Sequence, residues 1–171
     1  MSYEGQYHPK LVTASIGAPL AALGISVDLP GLPQGLQFPF AITGRATDGF
    51  FAKTRTTDFA SLVTGAEGNT SIVLNPDQSG NFTITLQHGT IGCRVLSILY
   101  AAQELIGEGQ LPPFTFNVSY RDNNSTPPET HEGLNCLIAR PPDMTFGASL
   151  GTLAWSFVAA TVISNYSSRL T

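Results

Sequence analysis

Apolar and polar residues alternate along several short stretches of the chain. Phe82, Ile84 and Leu86 alternate with Thr83 and Thr85, and Leu153, Trp155 and Phe157 alternate with Ala154 and Ser156. Such alternation is typical of a strand that is buried on one face and wet on the other. We predict strands at residues 10–15, 42–47, 49–55, 71–74, 81–87, 114–120, 134–140 and 152–163.

Turn residues separate these predicted strands. Asp48-Gly49 stands between 42–47 and 49–55, and a dipeptide of this type between two strands is a strong hairpin signal. The run Asn75–Gly80 (NPDQSG) connects the predicted strands 71–74 and 81–87. The pattern therefore favours antiparallel strands that are joined by short connections.

One segment has helical spacing instead. Apolar residues recur at positions i, i+3 and i+4 from Cys93 to Ile106, with Thr90 as a candidate N-cap and Gly107 as a candidate left-handed stop. With the strands, this helix predicts a mainly β fold, a β-sandwich or barrel of antiparallel strands with one α-helix at about 93–106. The length of 171 residues fits a single domain over 1–171.

Residues 16–41 form an apolar segment rich in Gly and Pro, with Asp28 as its one charged residue. Prolines at four positions exclude a regular helix or a central strand. An apolar loop of this length is not expected to stay bare in water, so it folds over its own domain or docks on a neighbour. We interpret it as a candidate inter-subunit arm, with Leu20, Leu23, Ile25, Leu29, Leu32, Leu36 and Phe38 as its contact residues.

A second uncharged segment, 144–168, has two interpretations. Phe146–Ile163 is apolar enough to be compared with a membrane helix. The alternation around Trp155 and the absence of flanking clusters of Lys or Arg favour a strand instead. We therefore expect no stable membrane insertion. The N-terminus also shows no signal peptide pattern, so we expect the protein to fold in a cytoplasm.

Charge is scarce over the whole chain. Only 20 of 171 residues are charged, and only two of these, Lys10 and Lys53, are lysines. Protein–protein interfaces are depleted in Lys and Glu but retain Arg and aromatic residues. The composition therefore indicates a subunit whose surface largely faces other protein. A net charge of −4 argues against a surface that binds nucleic acid.

The sequence offers little support for catalysis, because it has no phosphate-binding glycine loop and no nucleophile elbow. The three histidines (His8, His88 and His131) fall in predicted flexible or turn positions. His88 precedes Cys93 and His131 precedes Cys136 by five residues, but this order is unlike common zinc sites. Buried, reduced thiols are the preferred interpretation. We expect no enzyme activity, no cofactor and no metal.

Several segments together resemble phage tail tube proteins of contractile-tailed (myovirus-type) bacteriophages. The stretch Leu137–Gly147 (LIARPPDMTFG) followed by Trp155–Phe157 is similar to the family's C-terminal signature. Residues 42–51 are similar to its early strand pair, and 66–68 with 79–86 to its central hairpin. Residues 94–106 are similar to its helix, and 113–122 to the next strand. The chain departs from the pattern at 16–41 and 148–154.

The resemblance implies a structural virion protein that assembles into stacked, homohexameric rings. These rings form the inner tail tube, through which DNA is ejected. The implied partners are further copies of the chain and the tail sheath, baseplate and tape measure proteins, with transient passage of DNA. The implied location is the virion tail, assembled in the host cytoplasm. A lumen that conducts DNA should be neutral or acidic, and the candidate lumen-facing residues are Glu67, Asp77, Thr83, Thr85 and Gln87.

Two alternatives remain open from the sequence. A baseplate tube initiator or a tube-terminator ring protein would have the same fold and would occur in one ring only. A carbohydrate-binding β-sandwich module is more remote, because it needs exposed aromatic side chains and Trp155 lies within an alternating strand.

Overall fold

The computed structural model describes residues 12–17, 40–43, 45–46, 49–109, 114–124, 126–143 and 151–166. This part of the chain is mainly β, with antiparallel strand pairs and one helix. In chain order the elements are β1 (Val12–Gly17), β2 (Phe40–Ala41), β3 (Phe51–Arg55), β4 (Ala60–Thr64), β5 (Thr70–Leu74), β6 (Gly80–Gln87), α1 (Ile91–Gly107), β7 (Phe116–Asp122), β8 (Glu129–Arg140) and β9 (Thr152–Asn165).

Seven strands form the main sheet in the order β2-β1-β7-β8-β9-β6-β3. The long strands β8 and β9 lie at its centre, and β9 pairs with β6 from Gly80–Ala159 to Gln87–Thr152. This register aligns the alternating segments that the sequence predicts, with Ile84 opposite Trp155. The inward residues of these neighbouring strands consequently share one face.

The main sheet curls until its two edges approach each other. The amide of Ile42, which directly follows β2, donates to the carbonyl of Ala14 in β1 at 2.8 Å. A few residues later Arg45 forms a single bridge with Leu86 in β6. The described residues of 40–46 thus bond first to β1 and then to β6, the neighbour of the other edge strand β3, and the sheet becomes barrel-like.

The inward face of the sheet forms the core. Phe82, Trp155, Phe116 and Phe157 are each at most 1% exposed, and Phe116 meets Phe157 edge-on at 5.9 Å between ring centroids. Burial of each such side chain contributes roughly 1.5–3 kcal/mol relative to exposure. The predicted mainly β fold with buried, alternating strands is confirmed.

The helix α1 closes one side of this core. The amide of Cys93 donates to Thr90 Oγ1 at 3.5 Å, so the predicted N-cap is confirmed. The predicted stop at Gly107 is wrong, since this residue is helical and the left-handed conformation occurs at Gly109 (φ 76°). Gln103 docks the helix on β8, because its amide group accepts from the Ile138 amide at 2.9 Å and donates to the Ile138 carbonyl at 3.3 Å.

The predicted strand 42–47 and its hairpin with 49–55 are wrong. In the described part of this segment, only Arg45 forms a bridge, and Ala46 and Phe50 both bond to Thr85 of β6 rather than to each other. The reason is that the described residues of the segment bond to two different strands, Ile42 to β1 and Arg45 and Ala46 to β6. The first strand, predicted at 10–15, reaches Gly17, while Lys10 and Leu11 lie outside the described residues.

The uncharged C-terminal segment contains the strand β9, as predicted, rather than a helix. Among the helices of the described residues, none is long and apolar enough to cross a membrane.

Candidate functional site: an exposed hairpin and the cleft at its base

Strands β4 and β5 form a separate two-stranded sheet, which we call the apolar hairpin (residues 60–74). All ten residues of its two strands are exposed to solvent. Directly opposite residues of an antiparallel pair lie on the same face, so the pairs Leu62–Ile72 and Ala60–Leu74 share one face. Ser61–Val73 and Val63–Ser71 share the other.

The apolar hairpin exposes large aliphatic side chains that a monomer would normally bury. Leu62 is 72% exposed and Ile72 is 70% exposed, and Val63, Val73 and Leu74 are exposed as well. An isolated two-stranded hairpin is marginally stable in water, and contiguous apolar patches commonly mark sites of interaction. This element therefore has the character of a surface that another protein covers.

A tight turn forms the tip of the apolar hairpin. The amide of Gly65 donates to the Asn69 carbonyl at 2.8 Å, and the amide of Gly68 donates to the Gly65 carbonyl at 3.0 Å. Gly68 adopts a positive φ of 82°, which favours glycine. The turn leaves Glu67 exposed at the tip, and Glu67 is the one charged residue in 60–74.

An open cleft of about 560 Å³ lies where the apolar hairpin joins the barrel. We call it the base cleft. Residues before and after the hairpin meet the end of β9 here. The lining residues are Lys53, Arg55, Phe59, Asn75, Pro76, Gln78, Val162, Ile163, Ser164 and Tyr166. The lining thus contains two cations, several apolar side chains and no carboxylate.

Lys53 is held at the inner end of the base cleft by three neutral acceptors. Its Nζ donates to Ser164 Oγ at 2.5 Å, to Tyr166 Oη at 2.8 Å and to His131 Nδ1 at 3.2 Å. An ammonium group has three N–H donors, so these contacts can use all of them. Because His131 Nδ1 accepts, the proton of the neutral ring is on Nε2.

These contacts also shift the titration of the surrounding groups. Burial lowers the pKa of His131, and the nearby Lys53 charge lowers it further, while Glu129 acts in the opposite direction. The hydrogen bond from Lys53 lowers the pKa of Tyr166. The network joins β3, β8 and the end of β9 through neutral partners.

Arg55 lies at the outer side of the base cleft and is exposed. Its Nη2 donates to the backbone carbonyl of Asp77 at 2.9 Å, and its guanidinium lies 5.9 Å from the centre of the Phe59 ring. The Asp77 carboxylate is engaged by Thr57 and Ser79, whose hydrogen bonds lower its pKa, the Ser79 amide contributing most. The charge of the nearby Arg55 also lowers the pKa of Asp77.

The predicted lumen residues lie on three different elements. Glu67 is at the hairpin tip, and Asp77 is in the connection between β5 and β6. Thr83, Thr85 and Gln87 lie on the face of β6 opposite the core, beside Ser156, Ala154 and Thr152 of β9. We call this surface the uncharged face, because β3, β6 and β9 contribute to it the uncharged residues Ala52, Thr54, Asn81, Thr83, Thr85, Gln87, Thr152, Ala154, Ser156, Val158 and Ala160.

Most of the predicted inter-subunit arm lies outside the described residues. All seven of its candidate contact residues, Leu20, Leu23, Ile25, Leu29, Leu32, Leu36 and Phe38, fall there. The described ends of the 16–41 segment are strand rather than loop, and Ile16 of β1 pairs with Phe40 of β2.

Two histidines and both cysteines lie within the described residues. The prediction of a turn or flexible position is wrong for His131, which is buried in β8, and His8 lies outside the described residues. Cys93 and Cys136 are free, buried thiols, as predicted. In the described ranges, no group of three or more His, Cys, Asp or Glu side chains could hold a metal ion. Trp155 is 1% exposed, so it cannot stack on a sugar.

The sequence pattern does not predict β4, and so it does not predict the apolar hairpin. The resemblance places residues 66–68 and 79–86 in one hairpin, which is wrong, because 66–68 form the tip between β4 and β5, and β6 pairs with β3 and β9. Two short apolar runs around Gly65–Gly68 were the available signal. The base cleft gave no local signal, because its residues are distant in sequence.

Comparison with known proteins shows similarity at the level of the fold. No protein-family model and no curated protein matches the chain. Among solved structures, the fold is similar to a chain in the sheath/tube terminator of PVC, an extracellular contractile injection system, in the extended state. The TM-score is 0.55 at 12% identity, over 96% of this chain and 100% of that chain.

Two further structures concern the anti-feeding prophage. A chain in its tube-terminating cap has a TM-score of 0.53 at 11% identity, over 98% of this chain and 95% of that chain. A chain in its six-fold symmetrised baseplate has a TM-score of 0.53 at 13% identity, over 96% of this chain and 97% of that chain. The protein thus has the fold of chains found in tube-terminator, tube-cap and baseplate assemblies.

Proposed function

We propose that this protein is a structural subunit that assembles into a ring on the tube axis of a contractile tail-like particle. The observation that carries the proposal is the apolar hairpin, whose strand residues are all exposed and whose large aliphatic side chains need a protein partner. The scarcity of charge over the whole chain supports the same conclusion. The role is structural rather than catalytic.

Within such a particle, we assign the ring to the end of the tube as a terminator. Support comes from the fold of two neighbours, which belong to a sheath/tube terminator and a tube-terminating cap. The interpretation that the resemblance placed first, a subunit of the repeating inner tube, has the weaker support. A tube initiator at the baseplate is the second candidate, because a baseplate chain has the same fold.

The finer features of the proposal follow from ring assembly. The ring is a homohexamer that contacts tube, sheath or baseplate subunits, and a tape measure protein and DNA pass through it. The uncharged face, with Thr83, Thr85 and Gln87, is the proposed lumen wall, because its residues on β3, β6 and β9 carry no cation that would retain phosphate groups, and Arg140 of β8 borders it opposite Ser156. The 16–41 segment is the proposed arm that contacts a neighbouring subunit.

Immunogold labelling of intact contractile particles tests the position of the protein. An antibody against this chain should label one tube end, opposite the baseplate. Labelling at the baseplate end would favour the initiator, and labelling of broken tubes along their length would favour a tube subunit. Particles that contain no copy of the protein would contradict the proposal.

A further inference from the structure

The base cleft carries the exposed guanidinium of Arg55. Arg55 offers five N–H donors, and its side-chain hydrogen bond is to the backbone carbonyl of Asp77. The carboxylate of Asp77 accepts hydrogen bonds from Thr57 and Ser79 and also interacts with the Arg55 charge, while Arg55 itself stays exposed. The cleft therefore presents an exposed guanidinium beside the Phe59 ring, which suits an acidic side chain carried on an apolar element.

The tip of the apolar hairpin has the complementary character. Glu67 is exposed, its turn neighbours Gly65, Ala66 and Gly68 are small, and a Cβ added at Gly68 would meet no atom within 4 Å. The strands behind the tip carry the exposed Leu62 and Ile72. The tip is thus a narrow element with one negative charge and apolar flanks.

The tip and the base cleft of one chain lie at opposite ends of the same hairpin. Phe59 and Asn75 line the cleft, and five strand residues on each side separate them from the turn. At about 3.3 Å per residue, the tip lies roughly 17 Å from the base. A chain that keeps this hairpin extended cannot place its own Glu67 beside its own Arg55.

We propose that the base cleft receives the hairpin tip of a second copy of this chain, so that the partner subunit's Glu67 pairs with Arg55. The contact joins two different surfaces, so it is heterologous, and successive copies close into a ring when the rotation between them closes. This inference rests on the proposed function, because a terminator forms a single ring and its copies meet side by side within that ring.

Charge reversal tests the pairing. The variants Arg55→Glu and Glu67→Arg each replace attraction by repulsion and should weaken self-association at least tenfold in sedimentation velocity. The double variant R55E/E67R restores the opposite charges and should recover most of the wild-type association. Because both residues are exposed, circular dichroism should show the wild-type fold in all three variants. The neutral variants R55Q and E67Q should give intermediate weakening.

Matched controls use exposed charges on α1. Arg94→Glu and Glu104→Arg make the same charge changes away from the cleft and the hairpin, and they should assemble like the wild type. Single variants that assemble like the wild type would overturn the pairing. A double variant that associates as weakly as the single variants would also overturn it. In both cases, rings of the wild type would still support the proposed function. A wild type that never associates would overturn both. Singles that form rings but no longer attach to tubes would show that the cleft receives a different chain, which also contradicts the inference.

Discussion

The exposed aliphatic face of the apolar hairpin allows a quantitative test of assembly. We consider the double variant Leu62→Asp/Ile72→Asp, which places two carboxylates on directly opposite positions of one hairpin face. In the proposed ring these positions are covered by another subunit. Buried carboxylates without partners would add a large desolvation penalty to the lost apolar contact.

The magnitude follows from the exposed fractions. Complete burial of a Leu or Ile side chain contributes roughly 1.5–3 kcal/mol. Leu62 and Ile72 are 72% and 70% exposed, so covering each contributes about 1–2 kcal/mol and covering both about 2–4 kcal/mol. At 1.4 kcal/mol per factor of ten, the association constant of each subunit contact should fall by at least roughly 30-fold.

Sedimentation velocity over a concentration series measures this change directly. The matched control is Ser61→Asp, which introduces the same side chain on the other face of the same strand. Since the hairpin strands are exposed, the melting temperature of the dilute double variant should equal that of a dilute wild type. If the double variant assembles as well as the wild type, the hairpin face is not an interface between subunits.

Three further predictions concern the barrel. The pKa of His131 in the folded chain is lowered from 6.5, so the unfolded chain binds a proton at higher pH than the folded chain does. The free energy of unfolding should therefore decrease as the pH drops from 6.5 toward the folded pKa. In thermal melts, the melting temperature of H131N should decrease less over the same pH range. Burial raises the pKa of Cys136 to about 11, so iodoacetamide at pH 8 should alkylate this thiol only after the protein unfolds. Mass spectrometry measures the alkylation. A Cβ at Gly133 would overlap the buried Phe82 ring, so Gly133→Ala should cost about 1–3 kcal/mol in urea unfolding, whereas Gly151→Ala, with nothing nearby, should not.

Strands with one buried face were predictable from the sequence, and the apolar hairpin was not. In β6 and β9 every second residue faces the core, so burial imposes the alternation of apolar and polar residues. In β4 no face is buried by the part of the chain that the structure describes, and Ala60–Thr64 shows no alternation. Alternation of apolar and polar residues reflects burial of one strand face within the chain. A strand that only a partner would cover is therefore harder to predict from the sequence.

The base cleft could not be predicted for a different reason. Lys53, Tyr166 and His131 become neighbours only through the curl of the sheet and the pairing of β3, β6, β9 and β8. The path of segment 40–46 has no local signal either, because its residues bond to β1 and β6, which are distant in sequence. The base cleft and the path of segment 40–46 both depend on the pairing of strands that are distant in sequence. A local sequence pattern does not predict such pairing.

Electron microscopy of the purified protein shows directly whether this chain forms rings. Negative-stain class averages of the wild type at high concentration should show closed rings with a central hole, and the L62D/I72D variant should show separate small particles. A wild type that stays a monodisperse monomer at all concentrations would contradict the account.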